Sequence, residues 1–172
     1  MNKKLTFLLA LTLLFLFSGS VYGEESEVKK TYWDNGKLKS EVHYKDGEKE
    51  GLETLWFESG EKESENHYKN GKLDGLRTDW YESGEKQIEL HYKDGKIDGL
   101  RTIWYEDGSK LGETHFKNGH IEGFSKKWYE SGRKKSLKHF KNGIENGLRK
   151  EWYENGKLTY QGNFVDGVEE IK

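Results

Sequence analysis

The chain has 172 residues, of which 35% are charged and 14% aromatic, with a formal net charge of −2 and neither proline nor cysteine. Disulfides are therefore excluded, and charge so evenly mixed argues against a nucleic-acid partner, which calls for a basic stripe. Aliphatic content is thin, so rings supply most of the buriable surface, and a thin, extended object is expected rather than a deep two-sided core.

Residues 1–23 stand apart. Lys3 and Lys4 precede a nearly unbroken apolar run from Leu5 to Phe17, then small residues (Ser18, Gly19, Ser20, Gly23) and an acidic stretch from Glu24. That is the layout of a secretory signal peptide, with an apolar core short for a membrane span. Cleavage is expected after Gly23, with Ser20 as the alternative. The product would be exported to the periplasm, the cell surface or the medium. It would not be a lipoprotein, because no cysteine can carry the lipid. Losing two lysines and no acid takes the net charge from −2 to −4.

From residue 27 the sequence repeats every 24 residues without insertion or deletion: 27–50, 51–74, 75–98, 99–122, 123–146 and 147–170. A fixed period of this length marks a repeat architecture. The first aromatic column is Tyr32, Trp56, Trp80, Trp104, Trp128 and Trp152, followed at once by Trp33, Phe57, Tyr81, Tyr105, Tyr129 and Tyr153. Three residues on come Gly36, Gly60, Gly84, Gly108, Gly132 and Gly156, and a second glycine column follows the His-Tyr or His-Phe pairs. Two short segments and two turns per copy predict one hairpin per copy.

In copy 75–98 the even positions Leu76, Thr78, Trp80, Ile88, Leu90 and Tyr92 are mostly apolar and the odd ones mostly polar, a strand signature. A three-residue loop, Glu82-Ser83-Gly84, would set Trp80 opposite Lys86 and Leu76 opposite Leu90, keeping one face apolar. The second connection, Lys-Asp-Gly or Lys-Asn-Gly, is expected to close in the same way. Gly51, Gly75, Gly99, Gly123 and Gly147 predict bulges at the copy boundaries. The predicted fold is all-β, an elongated single-sheet ribbon of six tandem 24-residue β-hairpin repeats, about twelve strands, stabilised between neighbours.

Chemistry is weighed column by column. Histidines at 43, 67, 91 and 115 each follow a glutamate by two residues, but equivalent positions lie two strands apart, roughly 9.5 Å. That separation is too wide for side chains to share zinc, whose ligands sit at about 2.0–2.1 Å. The turn carboxylates Glu58, Glu82, Glu106, Glu130 and Glu154 have no apolar pocket to tune them. No catalytic, cofactor-binding or metal site is therefore assigned, and no cofactor is expected. Trp56, Trp80, Trp104, Trp128 and Trp152, with Gly60, Gly84, Gly108, Gly132 and Gly156, are read as structural. Phe57, Tyr81, Tyr105, Tyr129 and Tyr153 would point to the opposite face as an exposed binding column, a composition suited to protein interfaces.

The motif Gly-Leu-Arg-Thr-x-Trp-Tyr-Glu-Ser/Asp-Gly, then His-Tyr-Lys-Asp/Asn-Gly-Lys-x-Asp-Gly, resembles the MORN repeat over residues 27–170. More closely it resembles the bacterial MORN-variant proteins labelled YwqK-family antitoxins. Copy 27–50 departs at Glu27 and Tyr32, and copy 147–170 at Asn163, as terminal caps would. The resemblance implies a hairpin array and a protein-binding, toxin-neutralising role. The expected function is thus an exported, non-enzymatic scaffold binding another protein, such as a toxin. The alternative is an envelope module binding glycan or phospholipid head groups, and exposed terminal strands would permit a homodimer.

Overall fold

A computed structural model describes residues 25–171; the signal-peptide expectation for residues 1–23 falls outside the described residues. The described residues form a single open antiparallel sheet of 14 strands in which sequence neighbours pair, except that Lys96–Ile97 and Gly99–Trp104 both pair with the strand Lys86–Lys93 and not with each other. In order these are β1 (Ser26–Tyr32), β2 (Leu38–Lys45), β3 (Glu48–Trp56), β4 (Lys62–Lys69), β5 (Lys72–Trp80), β6 (Lys86–Lys93) and β7 (Lys96–Ile97). There follow β8 (Gly99–Trp104), β9 (Lys110–Lys117), β10 (His120–Trp128), β11 (Lys134–Lys141), β12 (Ile144–Trp152), β13 (Leu158–Val165) and β14 (Val168–Glu169). At about 4.8 Å per strand the ribbon runs on the order of 60 Å. The two strands beyond the expected twelve arise where Asp98 leaves the ladder between β7 and β8, and where the chain turns back briefly as β14.

The expected three-residue loop forms. Tyr81 N–H donates to the Glu85 carbonyl, Gly84 N–H donates to the Tyr81 carbonyl, and Gly84 lies at φ +88°. Trp80 faces Lys86 as expected, but Leu76 faces His91, and Leu90 faces Arg77. The correction comes from one extra residue, Gln87, which bulges between the pairs Trp80–Lys86 and Asp79–Ile88. Because side chains alternate with period two, one residue of slip sends all that follows to the other face. Ile88, Leu90 and Tyr92 consequently lie on the face opposite Trp80 and Leu76.

The second connection also differs from expectation. Lys93 pairs with Lys96, leaving only Asp94 (φ +50°) and Gly95 (φ +78°) between them. Two left-handed central residues make a type I′ turn, the form that matches strand twist and favours Asx-Gly. The copy-boundary glycines do mark irregularities: the β4–β5 register breaks between Asn66 and Tyr68, opposite the stretch holding Gly75.

No large side chain is fully buried among the described residues, and the buried apolar set is only Val42, Leu90 and Phe164. Cross-strand pairs, which together supply most sheet stability, replace a core.

Candidate functional site

The bulge divides the sheet into two chemically distinct faces. The front face carries three parallel rows across the strands. One row pairs an apolar residue with a histidine in five of the six copies, Val28–His43, Leu52–His67, Leu76–His91, Leu100–His115 and Phe124–His139, and Leu148 with Asn163 in the sixth. His67, His91 and His115 are exposed, as are Leu100 and Phe124. Phe124 and His139 meet edge to face at 4.7 Å.

The middle row alternates carboxylate and threonine. Thr78 lies between Glu65 and Glu89, and Thr102 between Glu89 and Glu113. The third row is Trp and Lys. Lys62, Lys86 and Lys110 each bond the glutamate three residues on, at 2.6, 2.6 and 2.5 Å. Each also lies 5.8 Å from the ring of the next copy's tryptophan, Trp80, Trp104 or Trp128. Such cation–π contacts contribute about 0.5–1 kcal/mol apiece at exposed sites. Lysine, glutamate and tryptophan thus tie successive copies together, and the front face of copies two to four is locally neutralised.

Trp56, Trp80, Trp104, Trp128 and Trp152 are all half-buried, placed at strand ends where their carbonyls matter as much as their rings. Tyr81, Tyr105 and Tyr129 donate their hydroxyls to the main-chain carbonyls of Trp104, Trp128 and Trp152 at 2.9, 3.0 and 2.9 Å. Trp33 Nε1–H does the same to Trp56. Of the column expected to be exposed, only Tyr153 is so; Phe57, Tyr81, Tyr105 and Tyr129 are half-buried. The physical reason is reach: a hydroxyl at the end of a ring spans to the next copy and satisfies a strand-end acceptor. Burial first, then the charges of Glu130, Glu154 and Asp107, raises the Tyr105 pKa, which keeps the donating form. Tyr105→Phe should lower the unfolding free energy by about 1 kcal/mol, the usual net value of one such bond. Tyr153→Phe should leave it unchanged, and urea unfolding of the pair checks both.

The back face holds a network centred on Glu53 that no other copy repeats with the same residues. Glu53, buried on β3, accepts from Lys49 Nζ at 2.5 Å, and from Asn66 Nδ2 and the Tyr68 hydroxyl, both at 3.1 Å. Beside it Arg77 forks onto Asp79 at 3.0–3.2 Å. Asn66 is 5% exposed and its Oδ1 has no hydrogen-bond partner. A shallow cleft of about 620 Å³ is lined by Glu53, Asn66, Tyr68, Arg77 and Asp79 with Leu55, Phe57 and Tyr81. The sequence signal was present: Glu53 and Asn66 break their own columns, where copy three has Arg77 and Leu90. Strict alternation as read in copy 75–98 would set Asn66, at the position of Leu90, on the tryptophan face and away from its partners.

This network sets a pH limit. Burial opposes the Lys49 charge, but the hydrogen bond and charge of Glu53 raise its pKa overall; burial and the Glu53 charge raise Tyr68. Both groups are protonated more tightly when folded than their ordinary values of 10.5 and 10.0. Their contribution is therefore complete below about pH 10 and lost as pH climbs through the raised values. A melting temperature that falls between about pH 10 and 12, less steeply in Tyr68→Phe, is the expected result.

Among the described residues no group of three His, Asp or Glu side chains is placed to hold a metal ion. No described helix is long and apolar enough to cross a membrane. The pattern of one protein family, described as MORN repeat variant, matches residues 28–46, 49–70, 73–94, 97–118 and 145–166, together more than half of the chain. Copy 123–146 is matched only at its last two residues, although it has the same hairpin, with Gly132 N–H on the Tyr129 carbonyl. A search of curated proteins returned no match.

Proposed function

The chain belongs to the MORN repeat variant family, a non-catalytic type of repeat associated with binding and scaffolding, and from that premise we propose that it is an exported scaffold that binds another protein. Toxin neutralisation in the cell envelope is the specific task we assign to it. The observation that carries this reading is the front face. It offers a repeating row of apolar and imidazole side chains along one continuous sheet, with His67, His91, His115, Leu100 and Phe124 exposed, which suits an extended protein contact better than a small substrate. The signal-peptide layout of residues 1–23 supports an envelope setting, and the resemblance to YwqK-family antitoxins supports the toxin. The seven-residue edge strand β1, exposed throughout, would also permit pairing of two copies.

A second reading rests on the back-face cleft. Rings of Phe57, Tyr68 and Tyr81 beside the planar polar groups of Asn66 and Arg77 are the ingredients of a glycan subsite, and anionic lipid head groups could use Arg77. An affinity pull-down with residues 24–172 from envelope extract, split into protein and glycan–lipid fractions, separates the readings. Stoichiometric recovery of one protein is expected. Retention on purified glycan or lipid alone would overturn the first reading in favour of the second.

A further inference from the structure

The fifth copy breaks the electrostatic pattern of the others. Between Lys126 and Lys141 lie seven basic residues and one acid, Glu130. It is also the copy that the family pattern passes over almost entirely. On the front face the reason is specific. Lys134 occupies the position of Lys62, Lys86 and Lys110, but three residues on, where those find Glu65, Glu89 and Glu113, stands Leu137. In the threonine positions stand Lys126 and Lys150, directly opposite Leu137 on either side. Lys126 keeps one long contact, 3.9 Å to Glu113. Lys134 and Lys150 have no ion pair among the described residues, and Lys134 has no tryptophan contact like those of Lys62, Lys86 and Lys110.

Three ammonium groups thus surround a half-buried leucine, with Phe124, 46% exposed, alongside. Lys126 and Lys150 are two strand spacings apart, roughly 9.6 Å. Unpaired ammonium groups around an apolar centre make the arrangement of an interface that gains its opposite charge from elsewhere.

Resting on the protein-binding reading, we propose that the front face of copies five and six is the docking site for an acidic segment of the partner protein, its carboxylates on Lys126, Lys134 and Lys150 and an apolar side chain over Leu137 and Phe124. The rest of the same face decides between a protein segment and an anionic bilayer. A flat membrane would gain nothing from the rest of that face, where Lys30, Lys62, Lys86 and Lys110 are already paired with Glu41, Glu65, Glu89 and Glu113. A short segment lies on the basic end alone.

The test uses residues of the other copies, which the same backbone already accommodates. Lys126→Thr with Leu137→Glu restores the copy-three pattern on the front face. Lys127→Ile with Lys138→Thr installs copy-four residues on the back face and lowers the net charge equally. The probe is a fluorescein-labelled twelve-residue peptide of alternating Glu and Leu, followed by anisotropy, with phosphatidylglycerol vesicles in parallel. The proposal expects binding that weakens with salt, at least tenfold weaker in the front-face variant and within twofold of wild type in the back-face variant. Both variants should melt within a few degrees of wild type. Equal losses in the two variants, no loss in either, or binding to vesicles without binding to peptide would overturn it. A partner protein recovered by pull-down and still held by the front-face variant would overturn this site while leaving the protein-binding reading intact; recovery of no protein would remove both.

Discussion

Replacing Gly75 with alanine is expected to lower the unfolding free energy by about 2–4 kcal/mol, the largest single effect we anticipate in this sheet. Gly75 sits in the copy-boundary bulge at φ +118°, a conformation that side chains rarely adopt. A Cβ there would also come within 3.0 Å of the His67 Cβ. That neighbour is the root of a side chain rather than its flexible end, so relief requires the backbone of β4 or β5 to move. The loss would fall on the pairing that joins copy two to copy three, and in a repeat array stability is shared between neighbours. Hydrogen exchange should therefore quicken first in β4 and β5. Gly84→Asn offers the contrast. Gly84 has nothing within 4 Å of its would-be Cβ and φ +88°, and asparagine tolerates left-handed backbone better than other side chains. A cost of no more than about 1 kcal/mol is expected there, and urea unfolding of both variants compares them.

Removing the Glu53 carboxylate with Glu53→Ala should cost about 2–3 kcal/mol. The buried carboxylate is the common acceptor for Lys49, Asn66 and Tyr68, and alanine would take it from all three donors at once, leaving Asn66 Nδ2 only its 3.4 Å contact to Ser64 Oγ. The figure is set below that of a fully buried ion pair because the Lys49 side chain is 33% exposed and water can reclaim it. Asn66→Leu, by contrast, should stay within about 1 kcal/mol of wild type. It gives up one donation to Glu53 but removes the unpartnered Asn66 Oδ1 and installs the residue that copy three carries as Leu90, itself 5% exposed. Chemical unfolding of the two variants, with unchanged far-ultraviolet dichroism, reads the difference. A neutral Glu53→Ala would mean that the network contributes nothing net to the fold.

The two glycine contexts show what a single strand pattern can reveal. That Gly84 closes a three-residue loop follows from local chemistry, since only that length keeps Trp80 beside Lys86. That Gly75 needs its own special backbone follows only from the neighbouring strand, because His67 fills the space beside it. The tyrosine column repeats the lesson. Tyr81, Tyr105 and Tyr129 look free when one copy is read alone, and their acceptors, Trp104, Trp128 and Trp152, belong in each case to the next copy.

The period of 24, the paired aromatics and the spaced glycines by themselves determined an all-β hairpin array, because turns and alternation are local properties written within a few residues. The family assignment rests on the same local motifs. Which side chains share a face was decided by tertiary structure, through Gln87 and its counterparts. One unpaired residue inverts the alternation beyond it, and whether a residue bulges depends on the hydrogen-bonding register with the strand beside it. The Leu–His row, the Glu53 network and the unneutralised lysines around Leu137 all lie downstream of that inversion, so each became visible only when the strands were paired.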